Sequence, residues 1–201
     1  ATVRITSSEM HRREYSPIGI IGWRTVAPSA VLLFGIALLV AVCHRVYHPD
    51  APGDVRRHWA ALLRGAQYRG LLDVTLQTHQ TNCGPAALHM ALASLGIDRS
   101  LAEIEAFAGT NRSGTSLFAL KQYAERQGAR TSLWRLNLSD LVARNGLPTI
   151  AFVRENHFVV IDSVKPDGSV LLRDPAIGRL HMKRTAWEQI WRGEVMLLGA
   201  P

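Results

Sequence analysis

Apolar residues form one uninterrupted run near the N-terminus, and further along the chain they recur with two different periods. Residues 25–43 contain no charged side chain, and as a helix they would extend roughly 28 Å, close to the hydrocarbon thickness of a bilayer. The run predicts an uncleaved transmembrane helix, with a cleaved signal peptide as the competing interpretation. Downstream, apolar residues recur first at helical spacing and then in short runs typical of strands.

The order of these elements predicts an α+β fold, with a helical half followed by an antiparallel sheet and an active site between them. One helix signal is a capping box, with Ser100 as N-cap and Glu103 three residues later. The predicted helices cover residues 54–67, 83–95, 100–108 and 115–127, with a short one near Trp187 and Trp191. The predicted strands cover residues 130–136, 149–153, 157–164, 169–173, 179–182 and 195–198.

Breaks in this pattern predict four parts of the chain. The segment Pro49-Asp50-Ala51-Pro52-Gly53 is rich in helix-breaking residues and separates the apolar run from the downstream helices and strands. The predicted parts are a polar arm over 1–24, a transmembrane helix over 25–43, a juxtamembrane linker and helix over 44–69, and a catalytic domain over 70–201.

One cysteine lies where a reactive thiol would be expected. Cys83 is followed by Gly84, Pro85 and a mostly apolar run, so it is predicted to begin a helix. The free N–H groups and partial positive charge of a helix N-terminus favour the thiolate. Gly84 would let a substrate backbone approach, and Gln77, six positions before Cys83, could donate a hydrogen bond to an oxyanion. Alone, this segment is also compatible with an inert buried cysteine.

A histidine and an aspartate on two consecutive strands strengthen the catalytic interpretation. His157 opens the predicted strand 157–164, and Asp174 follows the strand 169–173 after a turn. In an antiparallel hairpin these two strand ends are neighbours. The histidine could accept the thiol proton while the carboxylate orients the imidazole, as in nucleophilic triads.

The run Gln77 to Ala87, the strand His157-Phe-Val-Val-Ile161 and the pair Asp174-Pro175 resemble the bacteriocin-processing, double-glycine-leader peptidases. These belong to the papain-like cysteine peptidases, and the resemblance covers roughly residues 70 to 200. It implies a papain-like domain in which Cys83 is the nucleophile, His157 the general base and acid, and Asp174 the orienting acid. It also implies that Gln77 is the oxyanion donor. Asn82 replaces an aspartate that is common in the family.

Composition and charge limit the classes of partner that this protein is expected to bind. The net charge of +7 comes from scattered arginines with no basic run interleaved with aromatic residues, so nucleic acid is not an expected partner. No Cys-x-x-Cys pair and no cofactor motif occurs, so neither a metal nor a cofactor is expected. The expected partners are a peptide or protein substrate, membrane lipid and other membrane-protein subunits.

The arginines flanking residues 25–43 do not decide the orientation of the predicted transmembrane helix. A single N-terminal span predicts a bacterial inner-membrane protein with a periplasmic catalytic domain.

Two functions remain open from the sequence. One is a membrane-anchored cysteine endopeptidase, for which the resemblance implies cleavage after a small-residue pair. The other is an anchored accessory subunit that keeps the peptidase fold as a binding module, because the chain has no Walker-type loop of a transporter ATPase. The four site residues together favour the peptidase.

Overall fold

The computed structural model describes residues 28–47, 53–144, 148–154 and 156–200. Within them, the helices are α1 (Pro28–Tyr47), α2 (Gly53–Leu63), α3 (Cys83–Ser94), α4 (Leu101–Ala108), α5 (Leu117–Arg126), α6 (Leu138–Ala143) and α7 (Arg184–Ile190). The strands are β1 (Ala66–Tyr68), β2 (Arg130–Arg135), β3 (Thr149–Val153), β4 (His157–Val164), β5 (Val170–Asp174), β6 (Gly178–Met182) and β7 (Trp191–Gly199).

Most of α1 belongs to the N-terminal unit, which ends at His44; the helix begins inside the predicted span, at Pro28, and ends beyond it, at Tyr47. No helix in the described ranges is both long and apolar enough to cross a membrane. The transmembrane helix expected over residues 25–43 is therefore not supported. The polar arm expected over 1–24 lies outside the described residues, and the inner-membrane location and periplasmic orientation stay predictions.

The second unit is built on an antiparallel sheet with the strand order β1-β6-β5-β4-β3-β7-β2. The central hairpin pairs β4 with β5, and its partners include Val160 opposite Arg173 and Val164 opposite Val170. A register shift between Ile161 and Ser163 adds an irregularity to β4. The hairpin places the first residue of β4 near the last residue of β5, as the sequence predicted.

Two hydrophobic clusters cover the two faces of the sheet. Successive residues of β4 alternate between them, because side chains along a strand point to opposite faces: Phe158 and Val160 belong to one cluster, Val159 and Ile161 to the other. The first cluster packs β3, β4 and β7 against α3, α4 and α5. The second packs the opposite face against α2, α6 and α7, with Trp187 fully buried.

The predicted α+β order of elements is confirmed. The Ser100–Glu103 capping box is present at the start of α4, with both reciprocal hydrogen bonds formed. The sequence did not predict β1, which pairs with β6 through Ala66–Met182, Gln67–His181 and Tyr68–Leu180. The boundary predicted at residues 69/70 stays a prediction, but the sheet already begins upstream of it.

Candidate active site

Cys83 is the first residue of α3, and close packing explains the glycine after it. A Cβ atom on Gly84 would lie 3.2 Å from both Leu120 Cδ1 and Phe158 Cδ2 and 3.3 Å from Thr115 Cβ. A side chain at this position would therefore have to displace its neighbours by a few tenths of an ångström, so glycine suits the close packing of α3 against α5 and β4. The next residue, Pro85, occupies the first helical turn, where a missing N–H breaks no intrahelical hydrogen bond.

His157 and Asp174 meet at the end of the β4–β5 hairpin. His157 opens β4, Asp174 closes β5, and the distance from His157 Nε2 to Asp174 Oδ1 is 2.8 Å. Their side chains are only 18% and 7% exposed, so water competes little for this hydrogen bond. Asp174 Oδ1 also accepts a hydrogen bond from the Ala176 backbone N–H at 2.8 Å, which fixes the carboxylate.

Cys83 and His157 each shift the pKa of the other, so the thiol lies beside the imidazole that Asp174 holds. Burial raises the pKa of Cys83, but the hydrogen bond and charge of His157 lower it. The backbone N–H groups of Phe158 and Gly84 lower it further, and the net result is a pKa below the ordinary value of a thiol. These effects favour a thiolate, the nucleophilic form of cysteine.

The pKa of the His157 imidazole changes in the opposite direction to that of the Cys83 thiol. Burial lowers the pKa of His157, but hydrogen bonds to Asp174 and Cys83, together with their charges, raise it to about 9. A thiol whose pKa is lowered beside an imidazole whose pKa is raised is the signature of a thiolate–imidazolium pair. Because Nε2 of His157 is held by Asp174, the other ring nitrogen, Nδ1, is left for the sulfur.

Gln77 lies on the loop that leads to α3. Its backbone N–H donates to the Pro175 carbonyl at 2.9 Å, which ties the loop to the residue after Asp174. Its Nε2 donates to the His79 carbonyl at 3.1 Å, whereas its buried Oε1 has no partner among the described residues. The structure thus brings Cys83, His157 and Asp174 together. It places Gln77 beside them, and among the described residues Gln77 makes no hydrogen bond to the thiol.

The sequence did not predict a role for Arg173, which holds the strand that carries Asp174 to the helix that carries Cys83. Arg173 is 4% exposed, directly precedes Asp174, and donates from Nε to Asp162 Oδ1 at 2.9 Å. Its Nη1 and Nη2 donate to the Met90 carbonyl at 3.3 Å and to Ser94 Oγ at 2.9 Å, both on α3. A charged residue inside the apolar strand Val-Leu-Leu-Arg was the available signal. This side chain links β5 to the helix that carries the thiol.

Such a thiol, imidazole and carboxylate on an α+β scaffold are the groups of a cysteine peptidase. The model of the peptidase C39 family matches residues 72–201. The chain belongs to the peptidase C39 family and is a cysteine peptidase. This confirms the family, the α+β domain and the enzyme class that the sequence resemblance implied.

Curated relatives include complete small proteins and domains of larger ones. An uncharacterized protein of Methanothermobacter thermautotrophicus is 34% identical over 128 residues, which are 64% of this chain and 89% of that protein. The lactococcin-A transport/processing ATP-binding protein LcnC of Lactococcus lactis is 32% identical over 133 residues. That match covers 63% of this chain but only 18% of LcnC, so the chain is related to one domain of that transporter.

Solved structures share the fold. A double glycine motif protease from an AMS/PCAT transporter, solved with its leader peptide, superposes with a TM-score of 0.59 at 23% identity. It covers 64% of this chain and 91% of that one. The peptidase domain of Streptococcus ComA gives the same TM-score and identity and is covered to 98%. The α+β arrangement with its antiparallel sheet is therefore that of C39 peptidase domains.

Proposed function

We propose that this protein is an endopeptidase that cleaves peptides after a small-residue pair, with Cys83, His157, Asp174 and Gln77 as its catalytic residues. The observation that carries the proposal is the buried hydrogen bond from His157 to Asp174, beside the Cys83 thiol whose pKa His157 lowers. An inert structural cysteine has no need of a buried imidazole and a buried carboxylate aligned behind it. The proposal is therefore supported by the chemistry of the site as well as by membership of the peptidase C39 family.

Acylation begins with the thiolate of Cys83. Its sulfur attacks the scissile carbonyl carbon, and the π electrons of that carbonyl move onto the oxygen. When the tetrahedral intermediate collapses, the C–N bond breaks and His157 transfers its Nδ1 proton to the leaving amine. Asp174 stays ionised, holds Nε2 and stabilises the imidazolium before the transfer. The product of this stage is a thioester on Cys83.

Deacylation reverses the proton movements. His157, now neutral, takes a proton from water as the water oxygen attacks the thioester carbonyl, and the thiolate leaves. In both stages negative charge develops on the carbonyl oxygen. The N–H groups at the start of α3 and the second Nε2 hydrogen of Gln77 are the donors assigned to that oxygen. Preorganised donors of this kind act without reorganisation cost during the reaction.

The proposed substrate class rests on the relatives. LcnC is named as a processing as well as a transport protein, and the AMS/PCAT protease was solved with a leader peptide. A leader peptide that ends in two small residues is thus the substrate to try first. Membrane lipid and other membrane-protein subunits, expected from the sequence, stay predictions. The accessory-subunit alternative is not favoured, because a binding module has no need of the Cys83–His157 pair.

The direct test is cleavage of a synthetic leader peptide by the full chain, followed by mass spectrometry of the products. We expect one cut after a Gly-Gly pair, no cut after Cys83→Ala, and no cut when the pair is replaced by two valines. The tetrahedral and thioester mechanism further predicts a burst of acyl-enzyme with an activated ester substrate. A protein that binds the peptide without cutting it, and whose Cys83 resists alkylation until it is unfolded, would overturn the proposal.

A further inference from the structure

Asn82 occupies the N-cap position of α3 but does not cap the helix. Asparagine at this position normally accepts a hydrogen bond from a backbone N–H of the first helical turn. Here its φ and ψ are −104° and 21°, and its side chain makes no capping hydrogen bond. The first-turn N–H groups are consequently left to the site, where the Gly84 N–H lowers the pKa of the Cys83 thiol.

The Asn82 side chain turns instead into the preceding loop and is completely buried. Its Nδ2 donates to Thr78 Oγ1 at 2.9 Å and to the carboxylate of Glu105 on α4. Its Oδ1 accepts a hydrogen bond from the His79 backbone N–H at 3.3 Å. Both Nδ2 hydrogens and the carbonyl oxygen therefore have partners, and none is left to cap α3.

The same loop holds the Gln77 amide. His79, whose N–H is fixed by Asn82, accepts the hydrogen bond from Gln77 Nε2 through its carbonyl oxygen at 3.1 Å. The His79 carbonyl can accept but not donate, so this contact decides which end of the Gln77 amide is the nitrogen. His79 Nε2 also lies 3.3 Å from Glu105 Oε1. Glu105, Asn82, His79 and Gln77 thus form one connected series.

We propose that Asn82 and Glu105 are positioning residues for the oxyanion-binding loop, residues 77–82. The Glu105 carboxylate holds the Asn82 amide away from α3 through a charge-assisted hydrogen bond, which is stronger than one between neutral groups. Asn82 in turn fixes His79, and His79 fixes the Gln77 amide. The inference rests on the proposed peptidase function, because it assigns these residues to the stabilisation of its transition state.

Two thiol-reactive probes distinguish a role in oxyanion stabilisation from a general effect on the structure of the active site. The Cys83 sulfur adds reversibly to the carbonyl carbon of a peptide aldehyde, which places the resulting hydroxyl or oxyanion among the loop donors. A chloroacetamide alkylates the same sulfur by displacing chloride and forms no oxyanion. In the full chain, we expect Glu105→Ala to weaken inhibition by the aldehyde and to lower kcat, each roughly tenfold to a hundredfold. KM and the rate and pH dependence of alkylation should stay within about twofold of wild type.

Glu105→Gln is the conservative variant, because its amide oxygen still accepts from Asn82 Nδ2. It should recover kcat and aldehyde inhibition to within about threefold of wild type. Glu103→Ala is the matched control on α4, since it removes the capping box without a contact to the loop. It should lower stability while leaving kcat and both probes unchanged. Asn82→Ala should follow Glu105→Ala in the aldehyde assay.

Three results would overturn the inference: unchanged aldehyde inhibition in Glu105→Ala, an equal loss with both probes, or the same loss of kcat in Glu103→Ala. All three are measured against an active wild-type enzyme. A wild-type chain that neither cleaves peptide nor reacts with chloroacetamide would contradict the proposed function itself. The failure of one proposal is therefore distinguishable from the failure of the other.

Discussion

The 2.8 Å hydrogen bond between His157 Nε2 and Asp174 Oδ1 joins the first residue of β4 to the last residue of β5. Because the two strands form a hairpin, the sheet register sets this distance, and no flexible loop separates the two side chains. Burial of both groups strengthens the interaction, since little water is available to replace either partner. The fold thereby fixes the imidazole orientation before a substrate arrives.

Asp174→Asn tests what this carboxylate does for the imidazole. An asparagine Oδ1 can still accept the Ala176 N–H, so the turn after β5 should keep its shape. Loss of the negative charge should lower the pKa of His157 and weaken the thiolate–imidazolium pair. We expect kcat/KM to fall on the order of a hundredfold or more, with a melting temperature close to that of wild type. Steady-state kinetics and calorimetry on the same preparation check this, and unchanged kinetics would contradict it.

The pH dependence of activity follows from the two linked groups. The pKa of His157 is raised to about 9 and the pKa of Cys83 is lowered. The thiolate–imidazolium pair therefore exists at pH values between these two pKa values. Activity should rise as the thiol ionises, at a pH below the ordinary pKa of a thiol, and decline as His157 loses its proton near pH 9. Profiles of kcat/KM from about pH 5 to about pH 10 measure both limbs. A basic limb near the ordinary histidine pKa of about 6.5 would contradict the ion pair.

The same ion pair makes a prediction for stability. A pKa raised on folding means that the folded state holds the proton more tightly than the unfolded state. The contribution of His157 should be complete below about pH 6.5 and should be lost as the pH rises through about 9. Cys83→Ala removes one hydrogen bond and one charge that raise the pKa of His157, so its titration, followed by NMR, should move to lower pH. An unmoved titration would show that the thiol does not interact with the imidazole.

Gln77→Ala should separate catalysis from folding. In the fold the side chain makes one hydrogen bond, from Nε2 to the His79 carbonyl, and its Oε1 is buried without a partner among the described residues. Truncation removes that unsatisfied atom, so stability should change little, while loss of an oxyanion donor should lower kcat about a hundredfold or more. Parallel urea titrations and turnover assays check both halves. A loss of stability that matches the loss of activity would make Gln77 a structural residue.

The sequence predicted the elements whose signals are local. The capping box at Ser100, the strand opened by His157 and the hairpin that leads to Asp174 each depend on a few neighbouring residues. For Gly84 the sequence predicts only that it lets a substrate backbone approach. The structure adds a packing reason, because a Cβ there would lie only 3.2–3.3 Å from atoms of Leu120, Phe158 and Thr115. Those contacts come from distant segments and have no local signature.

Long-range polar contacts were also beyond prediction. The partners of Arg173 lie 11 residues away at Asp162 and about 80 residues away on α3. The Asn82–Glu105 contact likewise joins residues 23 positions apart, and Glu105 on α4 resembles any polar residue on a helix surface. Such pairs depend on how elements dock, whereas hydrophobic periodicity reports only which face of an element is buried.

Arg173→Met should destabilise the domain strongly. The substitution leaves Asp162 with only the more distant Arg179, at 3.8 Å, and removes hydrogen bonds to the Met90 carbonyl and Ser94. Breaking a buried ion pair from one side typically costs about 3–5 kcal/mol. We expect a loss of this order in urea unfolding, and a comparable loss for Asp162→Asn, which leaves the 5%-exposed Arg173 guanidinium without its carboxylate. Near-wild-type stability of Arg173→Met would show that the guanidinium does not hold β5 to α3.

The segment before residue 70 is the subject of the last prediction, because α2 and β1 lie upstream of the family match at 72–201. Ala61 on α2 is completely buried, and Ala66 on β1 is 6% exposed. A chain that starts at residue 70 would lose β1 and so expose the N–H and C=O groups of β6 as a free edge. It would also expose the apolar face that α2 covers, which weakens the domain and favours aggregation.

A chain over residues 53–201 should therefore be monomeric and keep the activity of the full protein, whereas 70–201 should have a lower melting temperature and aggregate. Ala61→Asp in the longer chain should reproduce the destabilisation without removing any residue, because it introduces a charge into the core. Leu62→Asp is the matched control, since Leu62 is 62% exposed on the same helix. Light scattering and thermal unfolding compare the four proteins. If 70–201 is as stable and as active as 53–201, α2 and β1 are dispensable for the peptidase, and the catalytic domain begins where the sequence predicted.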